Sequence, residues 1–369
     1  METRSIPGLS LREFQESLEK KPRNFPNEGQ WELTFRCNYR CQHCYIPPEE
    51  LAGKDKEKEL TTPEVCAVLD QLKEAGVLYL TLTGGDPLLR RDFLDIYLTA
   101  KQKGFLLTIF TNGSLVTERV ADTFQQSPPF RVEISLYGIT KETYENVTQI
   151  PGSFERCMQG IRRLVDRHIT LTLKTPGLTL NYHELLHIKA FAYSLGAHFK
   201  FDADITPRLG GDKTPLRLRL TPDQIISIEY QDPEMRQEWQ ERFEKDCGTM
   251  SPPSDLVFPC SVGKRTFYIG PTGHLTHCNY VRSPSYDLRD HPVQEAFREL
   301  EHQLRQLKQP EGTNPHHCDS PNQCMRCPGR ALLEVGDPTE PVDYFCEVTE
   351  KRVREKWRLH QEDPAHAAD

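Results

Sequence analysis

This sequence lacks the features that mark several common protein classes. Its 369 residues contain no apolar run approaching the roughly 18 residues of a membrane-spanning helix. The start, Met1 to Pro7, lacks the apolar core of a secretory signal. Basic residues number 46 against 54 acidic ones, so the net charge is −8 and no basic footprint for nucleic acid is present. These absences argue against a membrane protein, a secreted protein and a nucleic-acid-binding protein.

Cysteine, by contrast, is plentiful, with twelve residues. Without a signal peptide they predict a cytoplasmic protein, since thiols stay reduced in the cytosol and clustered cysteines there hold metal more often than they form disulfides. A chain of this length predicts two domains, or one large α/β domain with an appendage.

Three of the cysteines, Cys37, Cys41 and Cys44, lie within eight residues. They can converge on one inorganic centre, but structural zinc sites and ordinary iron–sulfur sites use four protein ligands. A set that stops at three indicates a cluster with one open iron. The alternatives are half of a zinc site completed from elsewhere in the chain, and a chance grouping.

From Trp31 to Asp202 the sequence alternates short β-branched apolar runs with helical stretches of 10 to 16 residues. This rhythm predicts a parallel sheet with right-handed crossovers, and six units predict a partial (β/α)6 barrel rather than a closed eightfold one. Ligands of such sheets lie at the carboxyl ends of the strands. The unusual residues collect there: the cysteine triplet, Gly84–Pro87, Thr111–Gly113 and Ser135–Gly138.

Beyond Asp202 the pattern changes to a linker, one helix over 223–245, a β-hairpin around Pro271–Gly273 and two closing helices over 293–308 and 347–361. This organisation predicts an N-terminal extension (1–28), a partial barrel (29–205), a linker and helix (206–246), a cysteine-rich domain (247–350) and a C-terminal helix and tail (351–369).

The spacing CxxxCxxC with His43 and Tyr45, followed one βα unit later by Gly84-Gly85-Asp86-Pro87, resembles the radical S-adenosylmethionine (SAM) enzymes. The resemblance implies that SAM chelates the fourth iron of a [4Fe–4S] cluster held by the triplet. It also implies that Gly84, Gly85 and Asp86 stand for the family's GGEP motif, which holds the SAM amino group. Thr148 stands where many relatives place an Arg for the SAM carboxylate. The other implied SAM contacts are His43, Tyr45, Asn112, Ser135 and Lys174.

The C-terminal cysteines resemble the SPASM domain, which binds auxiliary iron–sulfur clusters. Cys260-x12-Gly273-x4-Cys278 fits its first cassette, while the second has one cysteine fewer than the family pattern. The resemblance implies one or two clusters. If there are two clusters, the ligands of one are Cys260, Cys278 and Cys327, and the ligands of the other are Cys318, Cys324 and Cys346. The candidates for the fourth ligand of each cluster are His316, His317 and Asp319. With one, its ligands are Cys318, Cys324, Cys327 and Cys346, a set that could instead bind zinc.

By resemblance, the protein is an oxidoreductase that cleaves SAM to a 5′-deoxyadenosyl radical and abstracts hydrogen from its substrate. The expected substrate is a ribosomally made peptide; sulfatase maturation and the tailoring of a modified haem are alternatives, and a zinc-binding interaction protein is the alternative without catalysis. A flavodoxin or ferredoxin would supply electrons. Only about 30 residues precede Trp31, too few for a leader-binding module of their own. A separate leader-peptide-binding protein is therefore an expected partner of a peptide-modifying enzyme.

Overall fold

The computed structural model describes residues 26–248, 255–259, 266–310 and 327–362. Strands and helices alternate through the first 200 residues, and the six predicted strands are all present. The predicted α/β architecture with a parallel sheet is confirmed. None of the helices in the described ranges is long and apolar enough to cross a membrane.

The first half contains the βα units. Their strands are β1 (Glu28–Thr34), β2 (Tyr79–Gly84), β3 (Leu106–Thr111), β4 (Arg131–Ser135), β5 (Leu171–Pro176) and β6 (His198–Asp202). The helices are α1 (Pro48–Leu51), α2 (Thr62–Glu74), α3 (Phe93–Gln102), α4 (Glu118–Gln126), α5 (Lys141–Thr148), α6 (Ser153–Val165) and α7 (Leu185–Ser194).

The second half is mostly helical, with three short strands. The helices are α8 (Pro222–Gln231), α9 (Pro233–Gly248), α10 (Val293–Gln306), α11 (Pro328–Glu334) and α12 (Asp343–Glu362). The strands are β7 (Thr266–Ile269), β8 (His274–Thr276) and β9 (Tyr286–Asp287).

All nine strands form one sheet in the order β6-β5-β4-β3-β2-β1-β7-β8-β9. All neighbouring strands from β6 to β7 in this order pair in parallel, whereas β8 pairs antiparallel with β7 and β9 pairs antiparallel with β8. Side chains on both faces of β1 are buried, for example those of Trp31, Glu32 and Leu33, as expected of a parallel strand that is covered on both sides. The carboxyl ends of β1 to β6 therefore meet at one rim of the sheet.

The C-terminal hairpin continues this sheet. Tyr268 and Ile269 on β7 lie in parallel register with Gln30 and Trp31 on β1. The sequence predicted the hairpin, but its attachment beside β1 has no local signal because the pairing joins residues more than 200 positions apart. The domain boundaries stay predictions.

The single helix predicted over 223–245 is wrong. The chain forms two helices there, α8 and α9, and Asp232 between them has an extended backbone. Pro233 explains the break, because proline has no N–H to donate and disfavours helical geometry in the residue before it.

Candidate functional site

A cavity of about 440 Å³ lies at the rim formed by the carboxyl ends of the strands. Cys37, Cys41 and Cys44 all line it, together with residues from the ends of β2 to β6 and from the segment after β8. The structure thus brings the cysteine triplet together with Gly84, Gly85, Asn112, Ser135 and Lys174, as the sequence predicted. Asp86 is absent from the lining residues described.

Backbone hydrogen bonds hold the cysteine loop from two sides. Cys37 N donates to Leu51 O of α1 at 3.2 Å. Arg40 N donates to Thr148 O at 3.0 Å, and Gln42 N donates to Val147 O at 3.1 Å, so the loop also rests on the C-terminal end of α5. The cysteine loop is therefore held by α1, which follows β1, and by α5, which follows β4.

The three thiols are partly buried and surrounded by few compensating charges. Loss of hydration raises the pKa of Cys37 to about 12 and that of Cys44 to about 11. Asn112 Nδ2 donates to Cys37 Sγ at 3.8 Å, and Tyr39 N donates to the same sulfur at 3.4 Å. Such donors stabilise a thiolate once metal has replaced the proton.

Among the described residues, no three His, Cys, Asp or Glu side chains lie close enough together to hold a single metal ion. Tetrahedral zinc needs its sulfurs about 2.3 Å from one centre. A [4Fe–4S] cluster is bound by cysteine thiolates, each on a different iron. The three cysteines that line the cavity therefore have the donor chemistry of the implied cluster.

The two glycines after β2 allow the chain to approach itself closely. A Cβ on Gly84 would lie 2.1 Å from Thr34 O, and one on Gly85 would lie 2.2 Å from Phe35 O and 2.4 Å from Arg36 O. Gly84 also has a φ of +151°, a backbone conformation that residues other than glycine rarely adopt. The glycines let β2 pack on the backbone that leads into the cysteine loop, and they line the cavity as well.

Asp86 is buried, and its carboxylate accepts three hydrogen bonds from the protein. The donors are Thr111 Oγ1 at 2.8 Å, Asn112 N at 2.9 Å and Leu88 N at 3.0 Å. Burial outweighs these bonds and raises the pKa of Asp86 to about 6. Asp86 thereby fixes Asn112 beside Cys37, whereas its implied contact with the SAM amino group stays a prediction.

Ser135 and Lys174 lie opposite each other on β4 and β5 and both line the cavity. The Lys174 ammonium lies 5.2 Å from the ring centre of Phe110, and loss of hydration lowers the pKa of Lys174. Among the described lining residues, Lys174 is the one Lys or Arg. Thr148, in contrast, is buried and hydrogen-bonded to Ser153 Oγ at 2.7 Å, so it does not replace the family's Arg.

The two aromatic-type residues of the loop have different surroundings. The His43 ring packs edge-on against Tyr137, with 5.1 Å between ring centres, and loss of hydration lowers the pKa of His43 to about 4. His43 is therefore neutral at pH 7. The Tyr45 hydroxyl donates to Glu32, a buried carboxylate on β1.

Sequence reasoning missed part of the cavity wall. Asp202 and Asp204 follow the same strand-end rule at β6, yet no role was assigned to them; Asn279 and Tyr280 come directly after Cys278. Glu133 on β4 is another lining residue that the sequence did not predict.

The C-terminal half approaches the same cavity. Arg330 at the start of α11 forms an ion pair with Asp204, and a Cβ on Gly329 would lie 3.6 Å from Cys278 Sγ. Cys327 immediately precedes α11, and Gly329 at the start of that helix packs near Cys278. Cys346 lies on α12, while Cys260, Cys318 and Cys324 lie outside the described residues. The assignment of these cysteines to auxiliary clusters stays a prediction.

Residues 31–192, which include most of the strands and loops around the cavity, match the family model of the radical SAM superfamily. This part of the chain is a radical SAM domain, so the predicted resemblance to radical SAM enzymes is confirmed.

Similar proteins extend the comparison beyond this region. The AdoMet-dependent heme synthase of Methanosarcina barkeri is 25% identical over 343 residues, covering 87% of this chain and 96% of that protein. The mycofactocin maturase MftC of Mycolicibacterium smegmatis is 33% identical over 142 residues, covering 38% of this chain and 34% of that protein. The structure of Streptococcus suis SuiB bound to the precursor peptide SuiA shares the fold, with a TM-score of 0.70, 15% identity, and coverage of 94% of this chain and 83% of that chain.

Proposed function

We propose that this enzyme cleaves SAM reductively at a [4Fe–4S] cluster held by Cys37, Cys41 and Cys44, and that it oxidises its substrate by hydrogen abstraction. The observation that carries the proposal is the convergence of these three thiols on one cavity at the strand ends. When bound, the cluster and SAM would supply an electron and a 5′-deoxyadenosyl radical.

The chain's own residues supply binding, orientation and a shielded site. Three thiols leave one iron without a protein ligand, so a cofactor can bind there. Asn112, fixed by Asp86, hydrogen-bonds Cys37, and the neutral His43 ring adds an uncharged surface beside Cys44. Lys174, the one Lys or Arg among the described lining residues, would bind a carboxylate, either of SAM or of the substrate.

The first candidate substrate is an iron porphyrin. Similarity to the heme synthase covers 87% of this chain, so it includes most of the C-terminal half as well as the radical SAM domain. A carboxylate-bearing porphyrin could bind Lys174 within the cavity. This order of candidates reverses the expectation from sequence, which placed modified haem among the alternatives.

The second candidate is a peptide, the substrate class that the sequence predicted. Identity to the mycofactocin maturase is higher, at 33%, but it covers only 38% of this chain. A peptide substrate would bring in the predicted leader-binding partner. Both candidates require an electron donor such as flavodoxin or ferredoxin, and one or two auxiliary clusters on the C-terminal cysteines remain part of this proposal.

Substrate assays should separate the two candidates. Anaerobically reconstituted enzyme with dithionite and SAM is incubated either with Fe-coproporphyrin III or with precursor peptides encoded beside its gene, and products are followed by mass spectrometry. We expect a mass change in the porphyrin with matching 5′-deoxyadenosine, and a strong loss in Lys174→Met. A mass change confined to a peptide would transfer the assignment to peptide maturation.

A further inference from the structure

The carboxylate of Glu32 is the centre of a buried hydrogen-bond cluster that none of the activities above uses. Glu32 lies on β1 with no exposed surface. Its Oε1 accepts from the Tyr45 hydroxyl, and its Oε2 accepts from the Tyr268 hydroxyl and from Arg282 Nη2 at 3.4 Å. Arg282 Nη2 also donates to Tyr268 Oη at 3.1 Å. We call these four residues the Glu32 junction.

Its members come from parts of the chain that are distant in sequence but surround the cysteine loop. Tyr45 directly follows Cys44, Tyr268 lies on β7, and Arg282 follows two residues after Tyr280, which lines the cavity. The Arg282 guanidinium also lies 5.0 Å from the ring centre of Phe35, between β1 and the first cysteine. The junction therefore contacts the chain at both ends of the cysteine loop.

A buried ionic cluster is a poor way to gain stability alone. Removing a carboxylate and a guanidinium from water costs several kcal/mol per ion, and a well-packed apolar replacement is often equally stable. Such a cluster instead fixes the relative positions of the segments that carry its residues, because each donor must meet its acceptor. Here the arrangement includes the exit of the cysteine loop and the C-terminal wall of the cavity.

We propose that Glu32 is a positioning residue for SAM binding, which acts by fixing the Cys44–Tyr45 end of the cysteine loop against β7 and the Asn279–Tyr280 wall. This proposal rests on the SAM site described above and does not depend on the substrate. Tyr45 belongs to the junction through its hydroxyl, and it is also a lining residue of the cavity.

The test compares two buried carboxylates that both bind an arginine. Glu229 on α8 is 2% exposed and accepts from Arg352 Nε at 2.9 Å, so Glu229→Gln is the matched control for Glu32→Gln. Both substitutions should lower Tm, since each removes the charge of a buried carboxylate that binds an arginine; the Arg352 side chain is 9% exposed and that of Arg282 is 31% exposed. Equilibrium dialysis of labelled SAM against reconstituted protein should show a Kd about tenfold higher for Glu32→Gln alone, the lower end of the effect of losing a direct partner of a metal ligand, because Glu32 binds Tyr45, the residue after Cys44.

A second variant tests the junction without changing the charge of any residue. Tyr268→Phe deletes one hydroxyl of the junction outside the cavity lining, and it should raise the SAM Kd in the same direction with unchanged iron content. Kd values within twofold of wild type in both variants, alongside Tm losses like that of Glu229→Gln, would show that Glu32 only packs the interior. If wild type itself fails to bind and cleave SAM, the proposed function fails instead.

Discussion

Replacing Cys37, Cys41 and Cys44 together with alanine should abolish 5′-deoxyadenosine formation from SAM. These three thiols line the cavity and are the proposed cluster ligands, so without them no open iron should remain to bind the cofactor. Liquid chromatography of anaerobic reactions with dithionite measures the product directly. The matched control is Cys66→Ala, a cysteine on α2 away from the lining residues, which should cleave SAM at the wild-type rate.

The same triple variant reports on the C-terminal half. If Cys260 to Cys346 hold auxiliary clusters, the variant should keep about four to eight irons per chain after reconstitution. Retained iron would also show that the loss of activity is not a loss of folding. Iron near zero with stoichiometric zinc would instead support a structural zinc site on these cysteines.

Gly85→Ala should reduce SAM cleavage about a hundredfold or more, because the new Cβ would lie 2.2 Å from Phe35 O and 2.4 Å from Arg36 O. Both contacts are with backbone, so no side-chain rotation relieves them. The backbone leading into the cysteine loop must shift, and displacements of about 1 Å commonly cost that much in rate. Initial rates of 5′-deoxyadenosine formation measure the effect.

Gly270→Ala provides the comparison for that variant. Its added Cβ would meet no atom closer than 3.5 Å, which is ordinary van der Waals contact. We expect little change in rate. A Gly85→Ala enzyme as active as Gly270→Ala would contradict the close packing of β2 on the cysteine loop.

Local patterns in the sequence were enough to predict the βα units and the cysteine loop at the end of β1. Each strand is a short apolar run, and each helix follows within a few residues, so neighbouring positions carry the signal. The strand-end rule then placed Cys37, Gly84 and Ser135 at one rim, and the structure brings them to one cavity.

Contacts between distant segments could not be predicted in this way. Glu32 meets Tyr268 and Arg282 across more than 230 residues, and nothing near any of them signals the contact. The orientation of Asp86 toward Thr111 and Asn112 likewise depends on how β2 and β3 pack. The helix break at Pro233 differs, since proline is a local signal that the prediction of one helix overlooked.

In the proposed function, the triplet holds a cluster with one iron free for SAM. Electron paramagnetic resonance of the dithionite-reduced protein, with and without SAM, tests this most directly when the spectrum of the triple variant is subtracted. We predict a [4Fe–4S] signal that depends on Cys37, Cys41 and Cys44 and whose g-values shift when SAM is added. A signal that SAM leaves unchanged, or no iron signal attributable to these three cysteines, would contradict it.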